Sequence, residues 1–260
     1  MIDMHPVLMF YENKCVGCGT CFKVCPTGAH QVVDGKHIID RTMCTSCGTC
    51  AESCFADALM MSSRQFSVAE VMAEIRQDKL YYDRSGGGVT VSGGEATLQG
   101  AFIEQLADAC HAEGIEIAVE TNASLPYDRL ERMLSKMDLI MCDLKLVDSR
   151  LHKRFTGIEN HMIFNTVGRM STLGIPLIVR TPLIPGATDS IENLQAIAAY
   201  LAKLQNIRCY ELLNYNPLGS SKRIAIDEQD PFGQCKPFST EQLDELKHRL
   251  AESGVCIKVS

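Results

Sequence analysis

The 260 residues predict an α/β chain: a parallel sheet, open or curled into a barrel, with a small cysteine-rich module in front of it. Three observations carry that prediction. Two cysteine runs, Cys15-x2-Cys18-x2-Cys21-x3-Cys25-Pro26 and Cys44-x2-Cys47-x2-Cys50-x3-Cys54, repeat with Cys44 following Cys15 by 29 residues. Beyond them, near-continuously apolar stretches alternate with amphipathic ones, the texture of parallel strands covered on both faces. Glycines stand where the amphipathic stretches end, as helix C-terminal glycines do.

The cysteine runs use eight of the thirteen cysteines. Their spacing is that of a two-cluster ferredoxin. Three closely spaced thiolates cap one [4Fe–4S] cube, and the fourth, held off by its three-residue gap, reaches the other. This predicts crossed ligation: Cys15, Cys18, Cys21 and Cys54 on one cluster, Cys44, Cys47, Cys50 and Cys25 on the other. A zinc site rarely needs a third cysteine at x2 and a fourth at x3, and a disulfide framework belongs to short secreted chains. The echo of Gly17-Cys18-Gly19-Thr20 in Ser46-Cys47-Gly48-Thr49 marks a duplicated cluster unit. Phe55 takes the place of the proline usual after the fourth cysteine. Cys110, Cys142, Cys209, Cys235 and Cys256 are isolated and are expected as packed or surface thiols.

Composition narrows the function classes. At 46% hydrophobic the chain can bury a large core, yet residues 1–63 are too short and cysteine-rich to be more than a cluster-stabilised module, leaving 64–260 as the larger domain. A net charge of -7 with no basic stripe excludes a nucleic-acid partner. No apolar run reaches about eighteen residues, and the start MIDMHPVLMFYENK has neither the basic nor the apolar part of a signal peptide. No membrane association and a cytoplasmic location are expected, where a reducing environment suits clusters and unpaired thiols. No P-loop, G-x-G-x-x-G or Ser/His/Asp order is present.

Along the chain, Ser67 with Glu70 forms a capping box opening a helix whose stripe, Val68, Val71, Met72 and Ile75, runs to about Leu80. The turn from Asp83 to Gly88 ends it. Strands are then predicted at Val89–Ser92, Ile115–Glu120, Leu139–Lys145, Pro176–Thr181 and Cys209–Leu213. Helices are predicted at Ala101–Glu113, Tyr127–Lys136, Asn165–Leu173, Ser190–Leu204 and Thr240–Glu252, with Gly114, Gly174 and Gly254 as terminators.

A βα barrel places its chemistry at the C-terminal ends of its strands. Those ends read Ser92-Gly93-Gly94-Glu95, Glu120-Thr121-Asn122, Asp143-Leu144-Lys145, Arg180-Thr181-Pro182 and Asn214-Tyr215-Asn216. Strand alternation puts Met141, Asp143 and Lys145 on one face and Cys142 on the other. Asp143 and Lys145 together can meet the ammonium and the carboxylate of a bound amino acid. Alone, a GGE turn reads as a turn and Asp-x-Lys as an internal ion pair; on consecutive strands they read as a site.

On these motifs the chain resembles the glycyl-radical-enzyme activating enzymes of the radical S-adenosylmethionine (SAM) superfamily. The resemblance is carried by the ferredoxin insert, by YYDRSGGGVTVSGGEA, AVETN, DLIMCDLK, LHKRFTG, VRTPLIPG and ELLNYNPLG, and so covers almost the whole length. It implies a partial (β/α)6 barrel with the two-cluster module inserted after the family's first strand. It implies that Gly93, Gly94 and Glu95 take the methionyl amino group of SAM and that Asp143, Leu144 and Lys145 hold its amino-acid end. Glu120 and Thr121 match positions associated with a monovalent cation in some members, and Asn216 stands where many have a cofactor-contacting histidine. The implied reaction is reductive cleavage of SAM, followed by hydrogen abstraction from a backbone glycine of a partner, a glycyl radical enzyme. A flavodoxin or ferredoxin is the implied electron donor, and the chain is expected as a monomer. The insert's clusters are implied as electron relays, their irons saturated by protein thiolates.

The family's cleaving cluster is held by C-x3-C-x2-C. The 260 residues do not contain it: the x3 gaps, Cys21 to Cys25 and Cys50 to Cys54, have no cysteine two residues beyond. In relatives a first strand and the cysteine loop precede the segment matched by 5–11. The expectation is therefore a barrel with its first strand missing and five of six strands remaining, from an internal methionine start or a split gene. Such a chain is expected to be inactive alone, needing a third cluster from the absent segment. Two other readings stay open: an iron–sulfur electron carrier that does not cleave SAM, and a radical enzyme acting on a small molecule or peptide. His152 is expected to pack, cap or meet the partner's glycine loop, and His5, His30, His37, His111, His161 and His248 are expected in solvent.

Overall fold

The computed structural model describes residues 6–260, with the side chains of 218 and 220 left out. They divide into two compact units, one of residues 66–216 with 235–260 and the other of the residues up to 65 with 217–234.

The larger unit is an all-parallel six-stranded sheet in the order β10-β9-β8-β7-β6-β5. Its strands are β5 (Gly88–Val91), β6 (Glu116–Thr121), β7 (Leu139–Asp143), β8 (Leu177–Pro182), β9 (Ile207–Leu213) and β10 (Ile257–Val259). Five coincide with the predicted strands to within two residues. The sixth, β10, went unpredicted because three residues carry too little pattern; it pairs with β9 at Ile257 opposite Tyr210.

Helices α5 (Gly100–Ala112), α6 (Tyr127–Leu134), α8 (His161–Met170), α9 (Ile191–Leu201) and α11 (Thr240–Leu250) lie where the amphipathic stretches predicted them. α8 starts four residues earlier than read. α7 (Ser149–Thr156) adds a short helix after β7. The core is one cluster built from Ile117, Val119, Ile140, Cys142, Leu177, Val179 and Leu212 of the strands and the apolar stripes of the helices. Ser67 caps α3 (Val68–Ile75) with the full reciprocal bond set to Glu70. The predicted single helix to Leu80 is instead α3, a 3-10 turn at Arg76–Asp78 and α4 (Lys79–Ser85). Gly114, Gly174 and Gly254 all take the left-handed backbone that ends a helix.

The smaller unit pairs β1 (Leu8–Phe10) antiparallel with β4 (Leu59–Met61) and β2 (His30–Val33) with β3 (Lys36–Ile39). Its core is small: Leu8, Ala29, Ile39, Cys50 and Leu59. The sequence assigned 217–234 to the barrel, but this segment closes on β1. Phe10 N–H donates to the Ala225 carbonyl at 2.8 Å, and Arg41 donates to the Leu8 and Ala225 carbonyls at 2.5 and 3.1 Å and to Asp227 at 2.8 Å. Among the described residues no helix is long and apolar enough to cross a membrane.

Candidate metal centres and cofactor site

In each cysteine run the second cysteine sits between two residues with left-handed backbone: Gly17 (φ 70°) and Gly19 (φ 74°) around Cys18, Ser46 (φ 53°) and Gly48 (φ 84°) around Cys47. Glycine adopts this freely, and Ser46 adopts it at the price of strain. The chain then enters α1 (Thr20–Val24) or α2 (Thr49–Glu52), each carrying the third cysteine in its first turn.

Cys15, Cys18, Cys21, Cys50 and Cys54 line one cavity of ≈ 200 Å³. Cys25 keeps other company: its charge acts on Cys47 and on Cys50, and Cys50 also feels Cys44 and Cys47. Cys25 thus stands near thiols of the second run, and Cys54 shares a cavity with the first run's triplet and with Cys50.

The thiols differ in their readiness to ionise. The Thr20 side chain and backbone N–H hold Cys18 below the usual thiol range, and Thr49 does the same for Cys47. Burial pushes Cys21 up, and pushes Cys50 up to about 11 with its neighbouring thiols adding to the effect. Binding iron to the inner thiols therefore releases protons. A soft, all-sulfur donor set around two centres fits iron–sulfur cubes and suits no hard cation. The other cysteines behave as read: Cys110, Cys142 and Cys209 are buried among apolar side chains.

The second candidate site lies at the C-terminal ends of β5, β6 and β7. Gly93, at φ 145°, is in a backbone region closed to other residues and turns the chain after β5. Gly94 and Glu95 follow. Glu95 is 8% exposed, and its carboxylate takes four donors: Thr97 N–H (3.3 Å), Thr97 Oγ1 (2.6 Å), Thr121 Oγ1 (2.7 Å) and Asn122 N–H (2.8 Å). Those bonds occupy the carboxylate's acceptor positions. The Glu95 side chain ties the GGE turn to the end of β6.

Glu120 and Thr121 point to opposite faces of β6, as alternation requires. Thr121 is buried against Glu95, while Glu120 accepts from Ser92 Oγ at 2.5 Å and from Arg180 Nη1 at 2.8 Å. The Arg180 bond, with Ser92 beside it, holds the Glu120 carboxyl below the usual carboxylate range. On β7 the burial alternates as predicted: Ile140 and Cys142 are sealed, Met141 and Asp143 are half-buried. Lys145 Nζ donates to Asp143 Oδ2 at 3.1 Å, and Arg180 Nε stands 3.7 Å from Asp143 Oδ1. Asn216 lies exposed beyond β9, two strands from β7 in the sheet.

Arg180, read from the sequence only as a strand-end residue, is the one whose role sequence reasoning missed. It sits in VRTPLIPG as one arginine in an apolar strand, and the sign that it faces inward is its place between Val179 and Thr181, both 0% exposed on the opposite face. Its Nε is buried with no hydrogen-bond partner. Its charge is met instead by the two carboxylates, Glu120 at Nη1 and Asp143 at ion-pair distance from Nε.

The backbone of Asp143-Leu144-Lys145 is clamped by side chains that carry no chemistry themselves. Thr181 Oγ1 donates to the Leu144 carbonyl at 2.5 Å and is held in turn by Tyr210 OH at 2.8 Å. Asn193 Nδ2 donates to the Lys145 carbonyl at 3.0 Å while its Oδ1 takes Val147 N–H at 2.9 Å. Asn160 Nδ2 donates to the Leu146 and Val147 carbonyls at 2.7 and 2.8 Å. His152, 3% exposed, donates through Nδ1 to the Ile158 carbonyl at 2.8 Å, so it packs the α7–α8 turn. Of the histidines expected in solvent, His30 is buried at 6% exposed, and its Nδ1 lies 2.9 Å from Nε2 of a half-buried His37; burial lowers both. His5 lies outside the described residues.

Comparison with known proteins gives the chain its family. Residues 44–197 match the model of the Radical SAM superfamily and residues 14–59 that of the 4Fe-4S dicluster domain. The chain is 34% identical to an indoleacetate decarboxylase activating enzyme of Tractidigestivibacter scatoligenes, over 97% of this chain and 84% of that protein. It is 35% identical to a benzylsuccinate synthase activating enzyme of Thauera aromatica, over 99% of this chain and 80% of that one. A crystallised domain of a pyruvate-formate lyase-activating enzyme from Bacteroides vulgatus superposes with a TM-score of 0.56 at 26% identity, covering 67% of this chain and 99% of its own.

Proposed function

The chain belongs to the radical SAM superfamily and, within it, to the glycyl-radical-enzyme activating enzymes; on that footing we propose that it takes part in generating a glycyl radical on a partner enzyme, holding two [4Fe–4S] clusters and one SAM. The ligand sets are crossed. Cys15, Cys18, Cys21 and Cys54 hold one cluster and Cys44, Cys47, Cys50 and Cys25 the other. The observation that supports this reading is Cys25 beside Cys47 and Cys50, with Cys54 in the cavity that Cys15, Cys18 and Cys21 line together with Cys50.

Bound clusters supply single electrons, and SAM supplies the hydrogen-abstracting fragment. The chain's own residues bind and orient. The backbone of Gly93 and Gly94 accepts from the methionyl ammonium, with Asp143 as its countercharge. Lys145 receives the carboxylate. Glu95 acts through the turn it anchors. Glu120 and Thr121 flank the site, Glu120 being committed to Arg180, and Asn216 offers an amide from the β9 side. Complementary charges sit at the mouth of a sheet where such folds work.

Because no C-x3-C-x2-C lies within the 260 residues, this polypeptide by itself is read as binding SAM and relaying electrons without cleaving it; cleavage is assigned to a form that carries the triplet. The same observation favours a second reading, an iron–sulfur electron carrier with no use for SAM. Anaerobic reconstitution separates them. About eight irons per chain, at four per cube, with SAM binding that Lys145→Ala abolishes, supports the activase; about eight irons with no SAM binding supports the carrier. Fewer than about four irons overturns both. The electron donor is read as a flavodoxin or ferredoxin and the location as the cytoplasm.

A further inference from the structure

Between the two cysteine runs the chain makes the β2–β3 hairpin, and its register does more than span the gap. His30 faces Ile39 and Val32 faces His37, so His30 and His37 fall on one face as diagonal neighbours. Their rings are fixed. His37 packs against Phe10 and Phe22 with centroids 4.5 and 5.0 Å away, and Phe22 also meets His30 at 5.8 Å. Cys21 Sγ and one ring nitrogen of each histidine lie within 4.8 Å of one another. His37 and Phe22 line the same cavity as Cys15, Cys18, Cys21 and Cys54.

Two neutral imidazoles carry two N–H groups and two acceptor nitrogens. The bond of 2.9 Å between His30 Nδ1 and His37 Nε2 uses one of each. In either tautomer one N–H and one lone pair remain at the pair's outer ends. We propose that the pair adopts the one tautomer whose remaining N–H lies at the Cys21 end and donates it to the Cys21 sulfur, making His30 and His37 a positioning pair that raises the reduction potential of the cluster held by Cys15, Cys18, Cys21 and Cys54 relative to the other. Hydrogen bonds to cluster sulfurs stabilise the extra electron, and enclosure by Phe10 and Phe22 keeps water from competing for the sulfur. No counterpart hairpin follows the second run: after Cys54 the chain goes directly into β4. The two cubes of a duplicated motif are thereby made unequal, which gives electron flow a direction.

The inference rests on the ligand sets proposed above, and its test separates the two. The full chain is reconstituted with iron and sulfide, and potentials are read by EPR-monitored redox titration for wild type, His37→Phe, His30→Phe and His37→Gln. Two cluster potentials are expected in wild type, with one lowered in both phenylalanine variants and the other unmoved. His37→Gln, which keeps an amide N–H, is expected to sit nearer wild type. Eight irons with both potentials unchanged in the phenylalanine variants overturns the histidine role alone. Absence of clusters in wild type overturns the ligand sets with it. A divalent metal such as zinc bound in place of iron, and released by either phenylalanine variant, overturns the pair's role in favour of a Cys21–His30–His37 metal site. Should His37→Phe lose its iron, His37→Gln decides: a near-wild-type potential supports the bond, and a lowered one overturns it.

Discussion

Arg180 on β8 reaches past β7 to Glu120 on β6, with Nη1 2.8 Å from Oε1, so one ion pair braces three strands at the mouth of the sheet. The Arg180 side chain is 14% exposed and that of Glu120 28%, which places the pair between a surface bridge and a buried one.

Arg180→Ala leaves Glu120 half-buried without its main partner. A loss of about 2 kcal/mol is expected from the charged hydrogen bond, read as a lower urea midpoint at pH 7. The pH dependence gives a second check. Because the folded carboxyl lies below its ordinary value of 4.5, the stabilisation is complete above that pH and is lost as pH falls through the lower, folded value. Wild type should therefore lose stability more steeply than Arg180→Ala on the acid side, and parallel curves would rule the coupling out.

Glu95 separates structure from ligand contact. If its carboxylate serves to anchor the turn, Glu95→Gln turns one acceptor oxygen into an N–H2 facing donors. It should then cost about 1–3 kcal/mol together with SAM affinity. A variant that binds SAM poorly while keeping the wild-type urea midpoint would instead make Glu95 a direct ligand.

Exchanging the fourth cysteines tests the crossed arrangement. Cys54→Ala should remove the cluster of the first run, and Cys25→Ala that of the second, each leaving about four irons and a different EPR signal. Cys142→Ala, at a sealed position on the far face of β7, should leave the iron count untouched. Loss of the same signal in both fourth-cysteine variants would contradict the crossing.

Asn193→Ala cuts the bond to the Lys145 carbonyl and the one from Val147 N–H. At about 1 kcal/mol each, with part of that expressed as misplacement of Lys145, a roughly tenfold weaker SAM dissociation constant is expected by calorimetry. Unchanged affinity would show that the loop holds its shape without the amide.

Much of this was legible in local pattern. Alternation alone sorted Asp143 and Lys145 from Cys142, and Ser67 with Glu70 announced the helix that the structure caps there. What local pattern could not carry was partnership at a distance. Arg180 reads like any strand arginine until β6 brings Glu120 beside it, 60 residues away in the chain. His30 and His37 read as scattered because nothing in their spacing reveals the hairpin face they share. The helix predicted to Leu80 breaks at Arg76–Asp78, where Arg76 turns out to bond Glu113 at 2.7 Å.

The bond from Arg41 to Asp227 joins residues 186 apart, and it belongs to the cysteine unit. That unit consequently cannot be finished when its own first 65 residues have been synthesised. Its closing segment leaves the ribosome only after every strand of the sheet but β10 has been made, so its closure is a late, high-separation event. Severing the chain near residue 65 would take away Ala225 and Asp227, and with them the partners of Phe10 and Arg41.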